Sequence, residues 1–283
     1  MKTILVPTDF SEQALNALDL AAQIAKKSGA KIILTHVIEG SQNFSSFNTM
    51  GEGGSSVGEE AFLIKKLVEA HEKNLGELKK RDMLSGIEVE TRVKIGSPYE
   101  SISQVISDDE ANLVVMGSKG ASGLDEVLIG SNTEKVVRYA KCPVITVKNK
   151  IALESIESIV FATDLSGDQK RLVQKVKEVQ KLLNAELHIL KVNTPSHFYT
   201  NRQLEEEFDK FIEKYELENF TTNMYNEATE EDGILYFAEE VGACMIAIGT
   251  HGRTGLLHLL SGSIAEDLVN HSDIPVWTLS MKH

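Results

Sequence analysis

The chain carries one glycine pattern twice, and this repeat limits the possible folds more than any other feature. The first copy, GSKGASGLDEVLIGS, covers residues 117–131, and the second, GTHGRTGLLHLLSGS, covers residues 249–263. Identical residues recur 132 positions apart over a longer stretch, at Gly117/Gly249, Gly120/Gly252, Gly123/Gly255, Gly130/Gly262, Ser131/Ser263, Glu134/Glu266 and Pro143/Pro275. So many matches at one spacing indicate that the chain is a duplicated domain.

The beginnings of the two copies match at a different offset. Here the separation is 155 positions, at Thr8/Thr163, Asp9/Asp164, Ser11/Ser166 and Val37/Val192. The first copy therefore contains extra residues between Val37 and Gly117. Most of them fall in residues 40–59, which are rich in glycine and serine and predict a flexible loop, a candidate lid after the second strand.

Length and charge set the broad class. A chain of 283 residues suits two domains, which we expect at 1–149 and 156–283. The formal net charge of −13 argues against nucleic-acid or membrane-surface partners. No apolar run approaches the roughly 20 residues of a membrane span, and the N-terminal residues lack a signal-peptide pattern, so we expect a cytoplasmic protein.

Neither metal nor disulfide chemistry is indicated. Cys142 and Cys244 lie in different copies beside strand-like segments, which favours buried reduced thiols. The eight histidines show no HExxH or Cys/His ligand spacing, so no metal site is expected.

Each copy alternates β-branched runs with helical periodicity, which is typical of βαβ units in a parallel sheet. The predicted strands are TILVP, KIILTHV, EVETRV, LVVMG and PVITVK in the first copy, and SIVFAT, ELHILKV, FTTNMY, MIAIG and PVWTLS in the second. The predicted helices are 11–28, 59–84, 98–109 and 131–140, then 168–183, 202–217, 231–241 and 263–271. The final strands are predicted edges, and we expect them to pair with each other, since pairing protects an apolar edge.

The glycine pattern falls where an α/β sheet binds ligands. LVVMG ends at Gly117 and Ser131 opens the next helix, so the pattern lies at the carboxyl end of a strand. Asp9 would share this edge if the first and fourth strands flank the point where strand order reverses. Backbone amides at a helix start suit a phosphate, although neither a Walker A nor a GxGxxG motif is present.

The same residues can also be explained by local structure, without any ligand. Ser131 with Glu134, and Ser263 with Glu266, both fit a capping box, and glycines serve turns. Asp9 could equally bond turn amides after the first strand.

The spacing Gly-x2-Gly-x9-Gly-[Ser/Thr] resembles the nucleotide-binding signature of the universal stress protein family. PTDFS and ATDLS after the first strands, and CPVITV and IPVWTL as final strands, extend the resemblance over nearly the whole of both copies. The resemblance implies two Rossmann-like domains, similar to the adenine nucleotide alpha hydrolase fold, each a five-stranded parallel sheet flanked by helices. It also implies adenine nucleotide binding and paired domains, as a pseudo-dimer within the chain and with a homodimer as a further option.

The resemblance also implies the binding residues. ATP is the expected ligand, with ADP and AMP as alternatives and magnesium left open. In the first copy the implied contacts to adenine and ribose are Pro7, Thr8, Asp9, Val37 and Met116, and those to ribose and phosphates are Gly117, Gly120, Gly130, Ser131 and Asn132. In the second copy the candidates are Thr163, Asp164, Val192, Gly249, Gly252, Gly262, Ser263 and Ile264.

The second copy departs from the pattern. It has Ala162 where the first has Pro7, and YNEATEEDG replaces the Gly-Ser-Pro of residues 96–98. The function expected is a nucleotide-dependent regulatory or interaction module of the stress response. A slow ATPase or phosphotransferase at the same site and a nucleotide-free interaction scaffold are the alternatives, because no acid/base constellation beyond the single aspartate recurs in both copies.

Overall fold

The computed structural model describes residues 1–40, 56–118, 129–250 and 264–281. The first repeat contains β1 (Thr3–Pro7), α1 (Glu12–Ser28), β2 (Lys31–Glu39), α2 (Ser56–Lys79), β3 (Val89–Gly96), α3 (Pro98–Asp108), β4 (Leu113–Gly117), α4 (Ser131–Tyr139) and β5 (Val144–Val147). The second contains β6 (Ser158–Ala162), α5 (Lys170–Leu183), β7 (Glu186–Asn193), α6 (Asn201–Tyr215), β8 (Phe220–Asn226), α7 (Glu230–Glu240), β9 (Met245–Thr250), α8 (Ile264–His271) and β10 (Val276–Ser280).

All ten strands form one sheet in the order β3-β2-β1-β4-β5-β10-β9-β6-β7-β8. Within each repeat every pairing is parallel, and the order reverses between the first and fourth strands. The predicted α/β fold of two Rossmann-like repeats is therefore confirmed, and the reversal point lies between β1 and β4 and between β6 and β9.

The two repeats meet at β5 and β10, which are the strands that the sequence selects as edges. They pair antiparallel, with Ile145 opposite Trp277, and with Val144 and Thr146 opposite Thr278 and Val276. Ile145 and Trp277 are counterparts at the 132-residue offset, and the flanking pairs exchange roles about them, so a local two-fold axis passes through the Ile145–Trp277 pair. The two threonine hydroxyls repeat this symmetry, since Thr146 Oγ1 donates to the Val276 carbonyl at 3.3 Å and Thr278 Oγ1 to the Val144 carbonyl at 3.5 Å.

Successive residues of each strand point to opposite faces of the sheet, and an apolar core lies on each face. One core contains α1, the end of α2, α5 and α6, with Leu18, Phe161 and Trp277 fully buried. The other lies beneath α3, α4, α7 and α8. In α6, Leu204 and Phe208 pack into the first of these cores, while Glu205 is exposed.

The largest difference between a predicted and an observed helix boundary lies at the end of α2. α2 ends at Lys79 and not at 84, because Arg81 adopts an extended conformation and a separate 3-10 turn follows at Asp82–Leu84. The predicted loop and lid at 40–59 lie mostly outside the described residues. Both cysteines are free thiols, with burial raising the pKa of Cys142 to about 12. In the part of the chain that the structure describes, no helix is long and apolar enough to cross a membrane.

Candidate functional site

The ends of β1 and β4 form the centre of the first candidate site. The two strands are neighbours, with Ile4 opposite Leu113 and Leu5 opposite Val114. Their carboxyl ends therefore bring Asp9 and Ser118 to the same edge of the sheet, at the point where strand order reverses. This is the position at which open α/β sheets form a binding crevice.

The loop after β1 is held by short-range hydrogen bonds. The Thr8 amide donates to the Thr35 carbonyl at 2.8 Å, and Phe10, at φ 67°, donates its amide to Thr8 Oγ1 at 3.1 Å. Asp9 Oδ1 accepts the Ser11 amide at 3.0 Å, and Ser11 Oγ in turn caps α1 by accepting the Ala14 amide at 3.2 Å. Asp9 thus performs the turn-bonding role that the sequence allows without a ligand.

Gly117 has a packing reason to be glycine. A Cβ on this residue would lie 2.9 Å from Gln13 Cβ and 3.0 Å from the Gln13 carbonyl carbon, inside the first turn of α1. The close approach that the sequence assigned to a ligand is here made by the neighbouring helix. Gly120 lies outside the described residues.

The start of α4 corrects one prediction. Gly130, with φ −60° and ψ 135°, is the N-cap residue; Ser131 is the first helical residue, and no side chain caps the helix. The capping box of Ser131 and Glu134 is therefore wrong, because the helix begins one residue earlier than the box requires, and the Glu134 amide donates to the Gly130 carbonyl at 3.0 Å. Ser263, the cap of the second proposed box, lies outside the described residues.

Two hydrogen bonds hold the start of α4 against the end of β4. The Gly130 amide donates to the Ser118 carbonyl at 3.1 Å, and Thr133 Oγ1 donates to the Gly117 carbonyl at 3.1 Å. The Gly130 amide is thus already used, contrary to the expectation that it faces a ligand. The amides of residues 131–133 have no acceptor among the described residues, and a helix start of this kind favours an anion.

The remaining candidates of the first repeat surround this point. Pro7 and Val37 are half-buried, whereas Thr8 and Met116 are buried. Asn132 Nδ2 donates to Glu39 Oε1 at 3.3 Å, which links the start of α4 to the end of β2.

The loop after β6 in the second repeat has the same turn bond at its aspartate as the loop after β1, but additional side chains bond to this aspartate. Asp164 Oδ1 accepts from the Ser166 amide at 3.0 Å and from Gln169 Nε2 at 2.6 Å, while its Oδ2 accepts from Ser166 Oγ at 2.6 Å. Gln169 is buried and also bonds Thr163 Oγ1 at 2.9 Å. Both oxygens of Asp164 are therefore engaged by the chain itself.

A basic side chain sits behind this loop in each repeat. His36 Nδ1 contacts the Thr8 carbonyl at 2.7 Å, and at the equivalent place Lys191 Nζ donates to the Asp164 carbonyl at 3.4 Å. Burial lowers the pKa of both groups, although Thr8 opposes the change at His36 and Asp164 opposes it at Lys191.

The other candidates of the second repeat are only partly described. Val192 is buried, and a Cβ on Gly233 of α7 would lie 2.5 Å from its Cγ1, so Val192 packs against that helix. A Cβ on Gly249 would lie 2.7 Å from Leu172 Cδ2. Ile264 is the first residue of α8. Gly252, Gly262 and Ser263 lie outside the described residues.

Sequence analysis missed a pair of hydroxyls at the two sites. Ser118 and Thr250 directly follow Gly117 and Gly249, and their offset is again 132. Both are buried, at 2% and 8% exposure, and neither hydroxyl oxygen finds a partner in the part of the chain described here. Three other buried atoms share this state: Thr35 Oγ1, His71 Nδ1 and Ser280 Oγ. The signal was present in the sequence as a hydroxyl residue after the same glycine of each repeat.

α4 and α8, the helices that begin at the two sites, also contact each other across the repeats. Arg138 of α4 donates through Nε to Glu266 Oε1 of α8 at 2.6 Å. Asn270 of α8 accepts the amide of Ile129, the residue before Gly130. Glu266, which the sequence assigned to a capping box, thus pairs with the other repeat.

Comparison with known proteins finds similarity over the whole chain. The family model described as the universal stress protein family matches residues 1–148 and again residues 155–280. A universal stress protein of Methanocaldococcus jannaschii is 34% identical over 155 residues, covering 53% of this chain and 96% of that protein. One from Synechocystis is 25% identical over 297 residues, covering 98% and 99%.

A solved structure shares the two-repeat fold. The crystal structure of a universal stress protein from Archaeoglobus fulgidus superposes with a TM-score of 0.75 at 23% identity, covering 98% of both chains. At this identity the likeness concerns the fold alone.

Proposed function

The chain belongs to the universal stress protein family, and from this premise we propose that it binds ATP and acts as a nucleotide-dependent regulatory or interaction module. ADP and AMP are the alternative ligands. The first repeat is the principal binding site, because the start of α4 carries the polar residues Asn132 and Thr133 where the second repeat has Ile264 and Ala265.

One observation carries this proposal. At the reversal point of each repeat, a buried hydroxyl without a described partner lies at the end of the fourth strand: Ser118 directly follows β4, and Thr250 is the last residue of β9. A buried polar group without a partner costs free energy, so its presence at equivalent places of both repeats favours a ligand that supplies the bond. In the first repeat the amides of residues 131–133 offer further donors to the same ligand.

The residues then divide by chemistry. Amides at the start of α4, with Ser118 and Asn132, would hold phosphate oxygens, since donors at a helix start favour anions. Pro7, Val37 and Met116 would offer apolar contact to the base, and Asp9 would lie beside the ribose. Magnesium stays an open question, and the described residues contain no group of three potential metal-ligating side chains.

Domain limits and pairing belong to the same proposal. We propose domains at 1–149 and 156–283 that act as a pseudo-dimer through β5 and β10, with a homodimer of chains as an option. The antiparallel pairing about Ile145 and Trp277 supports it. Cytoplasmic location stays a prediction from the composition.

Gly130→Val tests the phosphate site. The valine side chain would occupy the space beside the helix start, and because Gly130 has φ −60°, it would cause no backbone strain. Losing two charge-assisted amide bonds, at about 1.5–3 kcal/mol each, should weaken ATP binding about a hundredfold or more. Calorimetric titration of the purified protein measures this.

Two further variants make the result interpretable. Gly76→Ala adds a side chain on α2 where no atom lies within 4 Å, and should bind ATP as the parent does. Gly262→Val places the same change in the second repeat and reports its share of binding. A folded Gly130→Val protein with parental affinity would overturn the first repeat as the ATP site.

A further inference from the structure

We propose that Asn270 of the second repeat is a positioning residue for the nucleotide site of the first, which makes that site dependent on both repeats. This inference rests on the proposed function. Its basis is the hydrogen bond from the Ile129 amide to Asn270 Oδ1, which joins residues 141 positions apart. Ile129 immediately precedes Gly130, the N-cap residue of α4.

Consecutive amides at this turn are held from opposite sides. The Ile129 amide donates to the second repeat, while the next amide, that of Gly130, donates to the Ser118 carbonyl of the first repeat at 3.1 Å. The two peptide groups on either side of Ile129 are therefore held by partners that belong to different repeats. Their orientation sets the direction of the amides of residues 131–133, which are the proposed phosphate donors.

Asn270 is itself held firmly in place. Lys148, at the end of β5, donates through Nζ to the Asn270 backbone carbonyl. One turn earlier on α8, Glu266 forms an ion pair with Arg138 in which both side chains are mostly buried, at 15% and 17% exposure. α8 thus contacts the first repeat through Glu266, one turn before Asn270, and through the backbone carbonyl of Asn270 itself. A movement of α8 would be passed directly to the amide of Ile129.

The residue of the first repeat that corresponds to Asn270 cannot make the equivalent contact. Arg138 is the counterpart of Asn270 in the first repeat at the 132-residue offset. An amide side chain has an oxygen that accepts a hydrogen bond, whereas a guanidinium group has only donors. Arg138 therefore cannot accept a backbone amide of the second repeat, and in the structure it pairs with Glu266 instead. Arg138 therefore cannot return to the second repeat the contact that Asn270 makes to the first.

Asn270→Ala tests this on the full-length protein. Without nucleotide, amide hydrogen exchange of residues 129–133 should accelerate about twofold to tenfold, the range expected when one hydrogen bond of this kind is lost. ATP, used as the probe in a calorimetric titration, should bind about twofold to tenfold more weakly, because the amides of α4 are no longer held in the binding orientation.

Two controls separate positioning from general loosening. Asn270→Asp keeps an acceptor oxygen and should retain slow exchange at Ile129. Asp267→Ala truncates another half-buried side chain of α8 and should leave both exchange and affinity at parental values.

The outcomes are distinct. Unchanged exchange at residues 129–133 in a folded Asn270→Ala protein would overturn the inference, and so would faster exchange with parental ATP affinity. A parent protein that binds no ATP would instead refute the proposed function, before any variant is compared.

Discussion

The two repeats share a backbone frame and differ in what surrounds its ligand edge. In the first, Thr133 Oγ1 ties α4 to the Gly117 carbonyl, and Asn132 reaches Glu39. Their counterparts in the second repeat are Ala265 and Ile264, which have no polar side-chain atoms. The helix start of the first repeat is therefore polar and tethered where that of the second is apolar.

The aspartates after the first strands show the same divergence. Asp9 and Asp164 each accept the turn amide two residues ahead, and Asp164 also accepts from Gln169 Nε2 and Ser166 Oγ. Gln169 is the N-cap residue of α5 and thus ties Asp164 to the start of that helix. The difference teaches that a duplicated domain can keep its strand order and its turns while the side chains around its ligand edge diverge.

The largest predicted difference between the repeats concerns their strand-end glycines. Gly117→Ala should lower the free energy of unfolding by about 1–3 kcal/mol, because the new Cβ meets the Gln13 Cβ at 2.9 Å and backbone atoms at 3.0–3.1 Å, which cannot turn away. Gly249→Ala should cost about 0.5–1.5 kcal/mol, because its closest contact is the end of the Leu172 side chain, which can shift its rotamer. Urea unfolding of both variants measures these values.

Equal losses in the two variants would break this comparison. They would mean that α1 moves away from β4 as readily as a leucine changes rotamer. Gly76→Ala, on an open helix face, is the matched control and should not destabilise the protein.

A smaller loss of stability is expected when the hydrogen bond between Thr133 of α4 and the Gly117 carbonyl is removed. Thr133→Val keeps the shape of the buried side chain but removes the hydroxyl that donates to the Gly117 carbonyl at 3.1 Å. We expect a loss of about 0.5–1.5 kcal/mol in the free energy of unfolding, the usual net value of one such bond. Chemical denaturation checks it, with Thr133→Ser, which keeps the hydroxyl, as the control that should retain the bond. A valine variant as stable as the parent would show that the tether does not distinguish the repeats.

Much of the fold could be predicted because its signals are local. β1 and β4 begin and end where the sequence predicted, since each apolar run stops at a proline or glycine. The capping box failed because its pattern does not tell which of two neighbouring residues opens the helix, and Gly130 takes that place with its backbone alone.

Other features of the site depend on contacts between distant residues. The pairing of Arg138 with Glu266 joins positions 128 apart, and no local pattern marks either residue as a partner of the other. The bond between Gln169 and Asp164 could not be inferred from the first repeat, where Ser11 is the N-cap residue of α1, because α5 begins later after its strand and has Gln169 as its N-cap residue. By contrast, Ser118 and Thr250 were within reach of sequence reasoning through the repeat offset.

The smallest predicted effect is a pH dependence that differs between the repeats at one structural position. His36 stacks on His71 with ring centroids 4.2 Å apart and donates to the Thr8 carbonyl, and burial lowers its pKa below the usual 6.5. The unfolded chain therefore takes up a proton at this residue before the folded protein does. The stability that His36 contributes is complete above about pH 6.5 and is lost as pH falls toward its folded pKa.

Lys191 holds the equivalent place in the second repeat, and burial lowers its pKa as well. The pH range in which Lys191 changes the free energy of unfolding lies below its usual pKa of 10.5, so its contribution to stability grows as pH rises toward that value. Unfolding free energies measured from pH 7.5 to 5.5 should fall less steeply in His36→Gln than in the parent, whereas Lys191→Gln should change the slope only on the alkaline side. If His36→Gln and the parent lose stability in parallel below pH 6.5, the histidine is not the group that makes the first repeat sensitive to acid.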